Sequence, residues 1–420
     1  MAVRYHNKSP VEDMQLQTRK ERRFLQTEAD LSDLAGNVSP TSPMSPQVTA
    51  TSKLNDMLSY LGSRNPMPRQ VAKDDTVWLL DNTAYRNQKT GGGWEAEFVS
   101  AVFAQHPSCV VIEAVAAVAK ELDLDEKDPN YSTIKERILP FLQDIKPGTQ
   151  VKALENGHNL MKLGPGGRNG ISNDIKPLKG PDSDGLVKTY AQVPLGADGV
   201  LELNTFYAEP EGWGVISADI DDTIKISMTS DPIGILRSTF VDKPTPCPGM
   251  AELYAYMDSL IRKTDPPYFY LSASPYNLYP FLRDFRNQAG YPQGTIILRD
   301  SSWSSIPGLL SSLTMGTEGY KVDRMKKIRG WLPKRKMICI GDSTQSDPEA
   351  YGEIYRAFPG WVKLILIRKV TDIAAIGIES KNEPERFEKA FKDVPRGSWH
   401  VFEDPAECRN ILAETVVLEE

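Results

Sequence analysis

The chain has 420 residues, of which 40% are hydrophobic and 25% charged, a composition typical of a globular protein with two or three domains. Its 56 acidic residues outnumber its 49 lysines and arginines, and the net charge of −7 argues against a general nucleic-acid-binding protein. No stretch approaches the roughly 18 consecutive apolar residues of a membrane-spanning helix. The N-terminus shows no apolar segment of a secretory signal. The four cysteines lie far apart without metal-ligand spacing, which favours a reducing intracellular compartment.

Residues 1–73 are expected to be mostly disordered. The stretch SPTSPMSPQ places Pro40, Pro43 and Pro46 three residues apart, a spacing that suits polyproline II. The stretch could bind an SH3-type partner or be phosphorylated at its Ser-Pro sites. A flexible linker is the simpler interpretation.

Residues 74–213 fall into two regions with different patterns. In 74–148, the segments AEFVSAVFAQ, VVIEAVAAVAKEL and TIKERILPFLQDI place apolar residues three and four apart, which predicts a helical region. The preceding TVWLLDNTAYR is interpreted as a structural strand or helix start capped by Asp81 or Asn82. In 149–213, LVKTYAQV and GVLELNTFYA predict a small β-rich unit, with Asp198 and Gly199 as the hairpin pair between them.

From residue 214 to residue 420 the pattern alternates between strands and helices. Near-continuous apolar runs separated by helical stretches predict a parallel sheet covered on both faces. The predicted strands are GVISADI, YFYLSAS, GTIILRD, KMICIGDS and VKLILIRKV. The predicted fold class is therefore α/β, with a Rossmann-like parallel sheet domain preceded by the small β-rich unit and the helical region.

Polar side chains follow three of these strands. Asp219 and Asp221 come after the first strand, Ser272 ends the second, and Asp342 ends the fourth. Ligands of parallel sheets bind beyond the carboxyl ends of the strands, so these side chains should meet at one site. Oxygen donors without His or Cys suit Mg²⁺. One carboxylate could also act as a nucleophile that forms an aspartyl-phosphate, and a second, two residues on, could protonate the leaving oxygen.

Two further positions could contact a phosphoryl group. Lys321 is a candidate for neutralising phosphoryl oxygens, with Lys326 and Lys327 as alternatives. Ser274 lies two residues after Ser272 and points to the same side of the strand.

Two aspartates have more than one interpretation. Asp222 could be only a cap or turn residue beside the catalytic pair. Asp347 could be a second partner of the metal, or the N-cap of a helix with Pro348 at its first position.

The motifs together resemble those of a known family. DIDDT, the SASP that starts at Ser272, a following lysine and GDS…DPE resemble the haloacid-dehalogenase-type phosphatases, and more narrowly the actin-patch phosphatidate phosphatases. The resemblance covers about residues 214–370. It implies a haloacid-dehalogenase-like domain over 214–420 and a Mg²⁺-dependent phosphatase that converts phosphatidate to diacylglycerol.

The resemblance also implies roles for individual residues. Asp219 would be the nucleophile, Asp221 the general acid and base, and Thr223 a support of the first motif. Asp221 would offer the metal its backbone carbonyl and keep its side chain for proton transfer. Ser272 and Lys321 would be catalytic residues that bind the phosphate, and Asp342 would hold the metal. With the positions considered from the residues alone, the predicted substrate-binding residues are Ser272, Ser274, Lys321 and Trp303, and the predicted metal residues are Asp219, Asp221, Asp342 and Asp347. Thr344 stands where the family commonly has glycine.

A phosphatase that acts on phosphatidate must reach a membrane surface. Two loops are candidates, 227–249 with Ile235, Leu236 and Phe240, and 301–316 with Trp303. Their apolar side chains could enter the interface or pack within the protein.

The expected location is cytoplasmic and peripheral at membranes, and the resemblance implies actin patches. Two other functions stay open. One is a phosphoprotein or soluble phosphomonoester phosphatase of the same superfamily. The other is a membrane-cortex adaptor with a vestigial phosphatase domain that acts through its proline-rich N-terminus.

Overall fold

The structure of the chain, a computed structural model, describes residues 65–104, 108–167, 169–181, 186–229, 231–299, 317–371 and 378–419. These residues form two β-sheets, one of eleven strands and one of six. The fold is therefore α/β, as predicted. Arg69–Gln70, at the end of the segment expected to be mostly disordered, already forms a strand that pairs with a neighbouring strand. The proline tract of residues 40–46 lies outside the described residues.

The first sheet mixes parallel and antiparallel strands around its own hydrophobic core. Its strand order is β1-β6-β9-β11-β3-β4-β2-β10, with β5 and β8 paired to β4 and β7 paired to β6. The strands are β1 Arg69–Gln70, β2 Asp75–Leu79, β3 Asn82–Asn87, β4 Gly93–Ala104, β5 Asp144–Ile145, β6 Thr149–Glu155, β7 Asn159–Leu163, β8 Ile171–Leu178, β9 Leu186–Gln192, β10 Asp198–Val200 and β11 Glu202–Ala208.

The prediction of a helix over AEFVSAVFAQ was wrong, because this segment forms β4. Its Trp94, Ala96 and Phe98 are buried while Glu95 and Glu97 between them are partly exposed, which is the two-residue period of a strand. The other two predicted helices are confirmed as α1, Ser108–Glu121, and α2, Tyr131–Leu142. The sheet thus spans both the predicted helical region and the predicted β-rich unit, and the domain boundaries themselves stay a prediction.

The hairpin expected at Asp198 and Gly199 is also different. The flanking strands β9 and β11 pair antiparallel, as predicted. Asp198 and Gly199, however, lie in β10, which pairs in parallel with β2. Thr76 Oγ1 donates to Asp198 Oδ1 at 2.6 Å, and a Cβ on Gly199 would lie 2.3 Å from the carbonyl oxygen of Val77. Contacts with a distant strand have overridden the local preference for a tight turn.

The second sheet is parallel throughout and has the order β14-β13-β12-β15-β16-β17. In chain order this is 3-2-1-4-5-6, the order of doubly wound sheets. All five predicted strands are confirmed, and β17 is an addition. The strands are β12 Trp213–Ser217, β13 Tyr268–Pro275, β14 Thr295–Arg299, β15 Lys336–Asp342, β16 Val362–Arg368 and β17 Trp399–Phe402.

Helices cover both faces of this sheet. The adjacent residues Val215 and Ile216 belong to different hydrophobic cores, the first shared with Met257 and the second with Ile354. This alternation confirms the predicted doubly covered sheet. The helices after β12 are α3 Pro232–Phe240, α4 Met250–Ile261, α5 Tyr279–Gln288, α6 Thr317–Trp331, α7 Asp347–Ala357, α8 Ile378–Lys381, α9 Pro384–Ala390 and α10 Cys408–Glu419.

A buried ionic cluster joins the two sheets. Asp81, in the turn between β2 and β3, accepts hydrogen bonds from Arg283 Nε and Nη2 at 3.1 Å and from Arg286 Nη2 at 3.4 Å. It also accepts one from the backbone N–H of Asn204 at 2.8 Å. The structural interpretation of Asp81 therefore holds, but the residue binds two arginines of α5 instead of capping a helix.

No helix of the described ranges is both long and apolar enough to cross a bilayer.

Candidate active site

The predicted convergence at the carboxyl edge of the parallel sheet is present. β12 ends at Ser217, whose hydroxyl donates to the carbonyl of Asp219 at 2.8 Å and fixes the turn that follows. Ser272 and Ser274 lie at the end of β13, and Asp342 is the last residue of β15. Because neighbouring parallel strands end at the same edge, residues more than 100 positions apart meet here.

Asp219 is paired with a lysine at the centre of this edge. Lys321 Nζ donates to Asp219 Oδ2 at 2.8 Å, and both side chains are 0% exposed. The backbone N–H of Asp221 donates to the other oxygen, Oδ1, at 3.1 Å. The alternative lysines bind elsewhere, Lys326 to Glu353 and Lys327 to Glu97. Of the three lysines, Lys321 is therefore the one that the structure brings to Asp219.

Three buried carboxylates surround this lysine. One oxygen from each of Asp219, Asp342 and Asp347 lies within 4.8 Å of the others. Lys321 also donates to Asp347, and the backbone N–H of Asp342 donates to Asp347 Oδ2 at 3.0 Å. One ammonium faces three carboxylates, so a divalent cation would complete the charge balance. An all-oxygen donor set fits a hard ion such as Mg²⁺.

Burial and neighbouring charges shift the pKa values of Asp219, Asp342 and Lys321. Burial raises the pKa of Asp219 well above its ordinary value; Lys321 opposes this increase, whereas Asp347 and Asp342 add to it. Burial is the main cause that raises the pKa of Asp342, and the negative charge of Asp347 is the second. Burial alone would lower the pKa of Lys321, but the Asp219 and Asp347 carboxylates raise it above its ordinary value. Lys321 is therefore held as a permanent cation.

Of the two interpretations of Asp347, the helix cap was wrong. The N-cap of α7 is Ser346, and Asp347 is the first residue of the helix. Its carboxylate is fully buried and turned toward Lys321 and Asp342. The charge of the lysine, which no local pattern reveals, draws this side chain inward.

Asp221 lies in a network of hydroxyls. Its Oδ2 accepts from Ser272 Oγ at 3.0 Å and from Ser274 Oγ at 3.1 Å, and its Oδ1 accepts from Ser227 Oγ at 2.6 Å. The Asp221 carboxylate is not part of the three-carboxylate group. The structure thus does not bring this side chain to the candidate metal position, and the role predicted for its backbone carbonyl stays a prediction.

Two residues of this network were missed by the sequence reasoning. Lys225 and Ser227 are almost completely buried, and Lys225 Nζ donates to Ser227 Oγ at 2.7 Å and lies 3.9 Å from Asp221 Oδ1. Burial lowers the pKa of Lys225, and the nearby Asp221 opposes this effect. The signal was a single lysine between Ile224 and Ile226, directly after the aspartates, because a lysine in an apolar stretch needs a buried partner.

Threonines and a turn support the remaining aspartates. Thr223 Oγ1 donates to Asp342 Oδ2 at 2.8 Å, and the backbone N–H of Thr344 donates to Asp342 Oδ1 at 2.6 Å. Asp222 has a positive φ of 61° and accepts from the backbone N–H groups of Ser227 and Thr229, each at 2.8 Å. Asp222 is thus the turn residue that its position allowed.

The first candidate membrane loop is part of the protein core. Residues 232–240 form α3, in which Ile235, Leu236 and Phe240 are at most 2% exposed, and the ring of Phe240 packs against Phe141. The spacing of these apolar residues places them on one face of a helix, and this signal was missed in the sequence. Trp303 and the rest of the second loop, 301–316, lie outside the described residues.

The fold and the site define a doubly wound α/β protein with a buried, lysine-paired acidic centre at the carboxyl edge of its parallel sheet. Residues 213–369 match the family model described as "Phosphatidate phosphatase APP1, catalytic domain". This match confirms the resemblance drawn from the motifs. A stretch of 184 residues is 30% identical to phosphatidate phosphatase APP1 of Saccharomyces cerevisiae and covers 42% of this chain. The matched stretch covers 30% of the length of that relative.

Proposed function

We propose that this chain is a Mg²⁺-dependent phosphatidate phosphatase of the haloacid-dehalogenase type, which hydrolyses phosphatidate to diacylglycerol and phosphate. The observation that carries the proposal is the buried Asp219 carboxylate, paired with Lys321 and grouped with Asp342 and Asp347. It lies within the segment that matches a phosphatidate phosphatase catalytic domain. A buried carboxylate with a fixed cation beside it is suited to attack an anionic phosphoryl group.

The first half of the reaction transfers the phosphoryl group to the enzyme. An oxygen of Asp219 attacks phosphorus, the bond from phosphorus to the glycerol oxygen breaks, and Asp221 gives its proton to that leaving oxygen. In the second half, water attacks the phosphorus of the aspartyl-phosphate, and Asp221 takes a proton from this water. Phosphate leaves, and Asp219 is restored.

The surrounding residues hold the reacting groups and balance their charge. Lys321 is fixed against Asp219 and would neutralise a phosphoryl oxygen, and we assign Ser272 and Ser274 to the same group on the side of Asp221. Asp219, Asp342 and Asp347 would hold the metal with support from Thr223. When bound, Mg²⁺ would offset negative charge on the phosphoryl oxygens.

The lipid substrate is inferred from the activity for which the family and the yeast relative are named. A cytoplasmic position at the membrane surface, and recruitment to actin patches, belong to the same proposal. Contact of Trp303 with lipid and of the proline tract with SH3-type partners stay predictions from the sequence.

The experiment is a comparison of phosphate release from phosphatidate in mixed micelles, from a phosphopeptide and from a soluble phosphate ester, each with Mg²⁺. Asp219→Asn should keep the fold and abolish turnover, because an amide cannot attack phosphorus. Asp242→Asn, a change at an exposed aspartate of an outer turn, is the matched control and should keep full activity. Appreciable activity in a folded Asp219→Asn variant would exclude the mechanism. Faster release from the phosphopeptide or from the soluble ester would mean that the preferred compound, and not phosphatidate, represents the substrate class. Inactivity on all three would favour the membrane-cortex adaptor.

A further inference from the structure

Gln345 carries a buried hydrogen-bond donor that the reaction described above does not use. It lies in the turn between β15 and α7, and it is only 8% exposed. Its Oε1 lies 3.5 Å from Lys321 Nζ. Its Nε2 is buried and has no hydrogen-bond partner among the described residues.

The chemistry of the lysine fixes which way the amide faces. An ammonium group only donates hydrogen bonds, so the amide presents its oxygen to Lys321, and its NH₂ group stays available for an acceptor beside that pair. The turn itself is held in place by Arg386, which donates to the backbone carbonyls of Ser343 and Gln345 and forms an ion pair with Glu349. The donor is therefore oriented before any ligand arrives.

We infer that Gln345 Nε2 binds an oxygen of the phosphomonoester group when it enters the site. This inference rests on the proposed function and extends it by one substrate-binding residue. A buried donor without an acceptor is costly, and a phosphoryl oxygen beside Lys321 supplies the missing acceptor. The amide adds a hydrogen bond without adding charge to a centre where three carboxylates and a lysine are already grouped.

The test uses Gln345→Met, which keeps the length of the side chain and removes the donor. Calorimetry with inorganic phosphate in the presence of Mg²⁺ should show that the variant binds phosphate about 10- to 100-fold more weakly than the wild-type protein. This is the change in affinity expected when one hydrogen bond to a charged group is lost. KM for a short-chain phosphatidate should rise by a similar factor. The melting temperature should stay the same or increase, because an unsatisfied buried donor has been replaced by an apolar group. Gln288→Met, at the exposed end of α5, is the matched control.

Three results would overturn the inference. The first is unchanged phosphate binding in Gln345→Met. The second is a lowered melting temperature with unchanged phosphate affinity, which would make the residue structural. The third is weaker binding of Mg²⁺ with unchanged affinity for phosphate, which would mean that the amide binds a water ligand of the metal. A second variant, Gln345→Glu, should weaken phosphate binding at least as much as Gln345→Met, since it replaces the donor with a negative charge. If the unchanged protein neither binds phosphate nor releases it from any ester, the proposed function fails instead.

Discussion

Ser227→Ala gives a direct test of how Asp221 is prepared for proton transfer. The change removes the hydroxyl that donates to Asp221 Oδ1 at 2.6 Å and accepts from Lys225 Nζ at 2.7 Å. Ser272 and Ser274 still hold the other oxygen of Asp221, so the carboxyl group stays in the site with one side unsupported. A buried alanine fills nearly the same space, and the fold should be kept.

The size of the effect follows from the contacts that are lost. Asp221 becomes charged as it gives up its proton, and one hydrogen bond to a charged group contributes about 1.5–3 kcal/mol; the loss of this bond in the transition state corresponds to a rate about 10- to 100-fold lower. The whole contribution of a general acid or base, about 100- to 10,000-fold, is the upper limit. We therefore expect kcat on short-chain phosphatidate to decrease by about 10- to 100-fold, with little change in KM.

The assay compares two leaving groups. The glycerol oxygen of phosphatidate needs a proton as it leaves, whereas the nitrophenolate of p-nitrophenyl phosphate does not. In Ser227→Ala, a rapid burst of nitrophenolate should persist while steady turnover slows, because breakdown of the aspartyl-phosphate still needs a base. Ser238→Ala is the matched control, since Ser238 is a buried serine whose hydroxyl, in the described part of the chain, donates to the backbone carbonyls of Ser227 at 2.9 Å and Ile235 at 3.1 Å. Equal loss of the burst and of phosphatidate turnover, or no loss of either, would refute the reasoning.

Two further changes test the metal and the link between the sheets. Activity should disappear in EDTA and return with Mg²⁺ but not with Ca²⁺, whose larger coordination shell does not suit the site; full activity in the chelator would remove the metal from the mechanism. Asp81→Asn should lower the free energy of unfolding by about 3–5 kcal/mol in denaturant titrations, because Arg283 and Arg286 would lose their buried counter-charge. The control Glu209→Gln, whose ion pair with Arg86 is exposed, should change stability little. An effect of Asp81→Asn no larger than that of this control would show that Asp81 is not a structural link.

The parts of the fold that depend on local pattern were predictable. The near-continuous apolar runs of β12, β13, β15 and β16 identify buried parallel strands, because strands covered on both faces have no polar side. Since the carboxyl ends of such strands meet at one edge, the positions of Asp219, Ser272 and Asp342 at those ends were enough to predict a common site. The confirmed family resemblance rests on these motifs.

The errors in secondary structure arose in short segments whose apolar residues do not distinguish a helix from a strand or a loop. In β4, the residues alanine and glutamate favour a helix, yet the alternation of Trp94, Ala96 and Phe98 is that of a strand. The segment of α3 was expected to be a loop, with membrane contact and packing within the protein both left open; it is a helix, and Phe240 is buried against Phe141. Packing against neighbouring elements decides such segments, and that packing is not visible within the segment itself.

The sequence by itself therefore determined the parallel sheet, its strand ends and the aspartates placed there. Only the tertiary structure decided which charges meet. Lys321 is separated from Asp219 by 102 positions, and the packing of α6 on the sheet, not its sequence, distinguishes Lys321 from Lys326 and Lys327. The same holds for Gln345, whose unsatisfied donor exists only because the folded chain buries it beside that lysine. Apolar periodicity is a property of neighbours in the chain, whereas the pairing of buried charges depends on elements far apart in sequence that folding brings into contact.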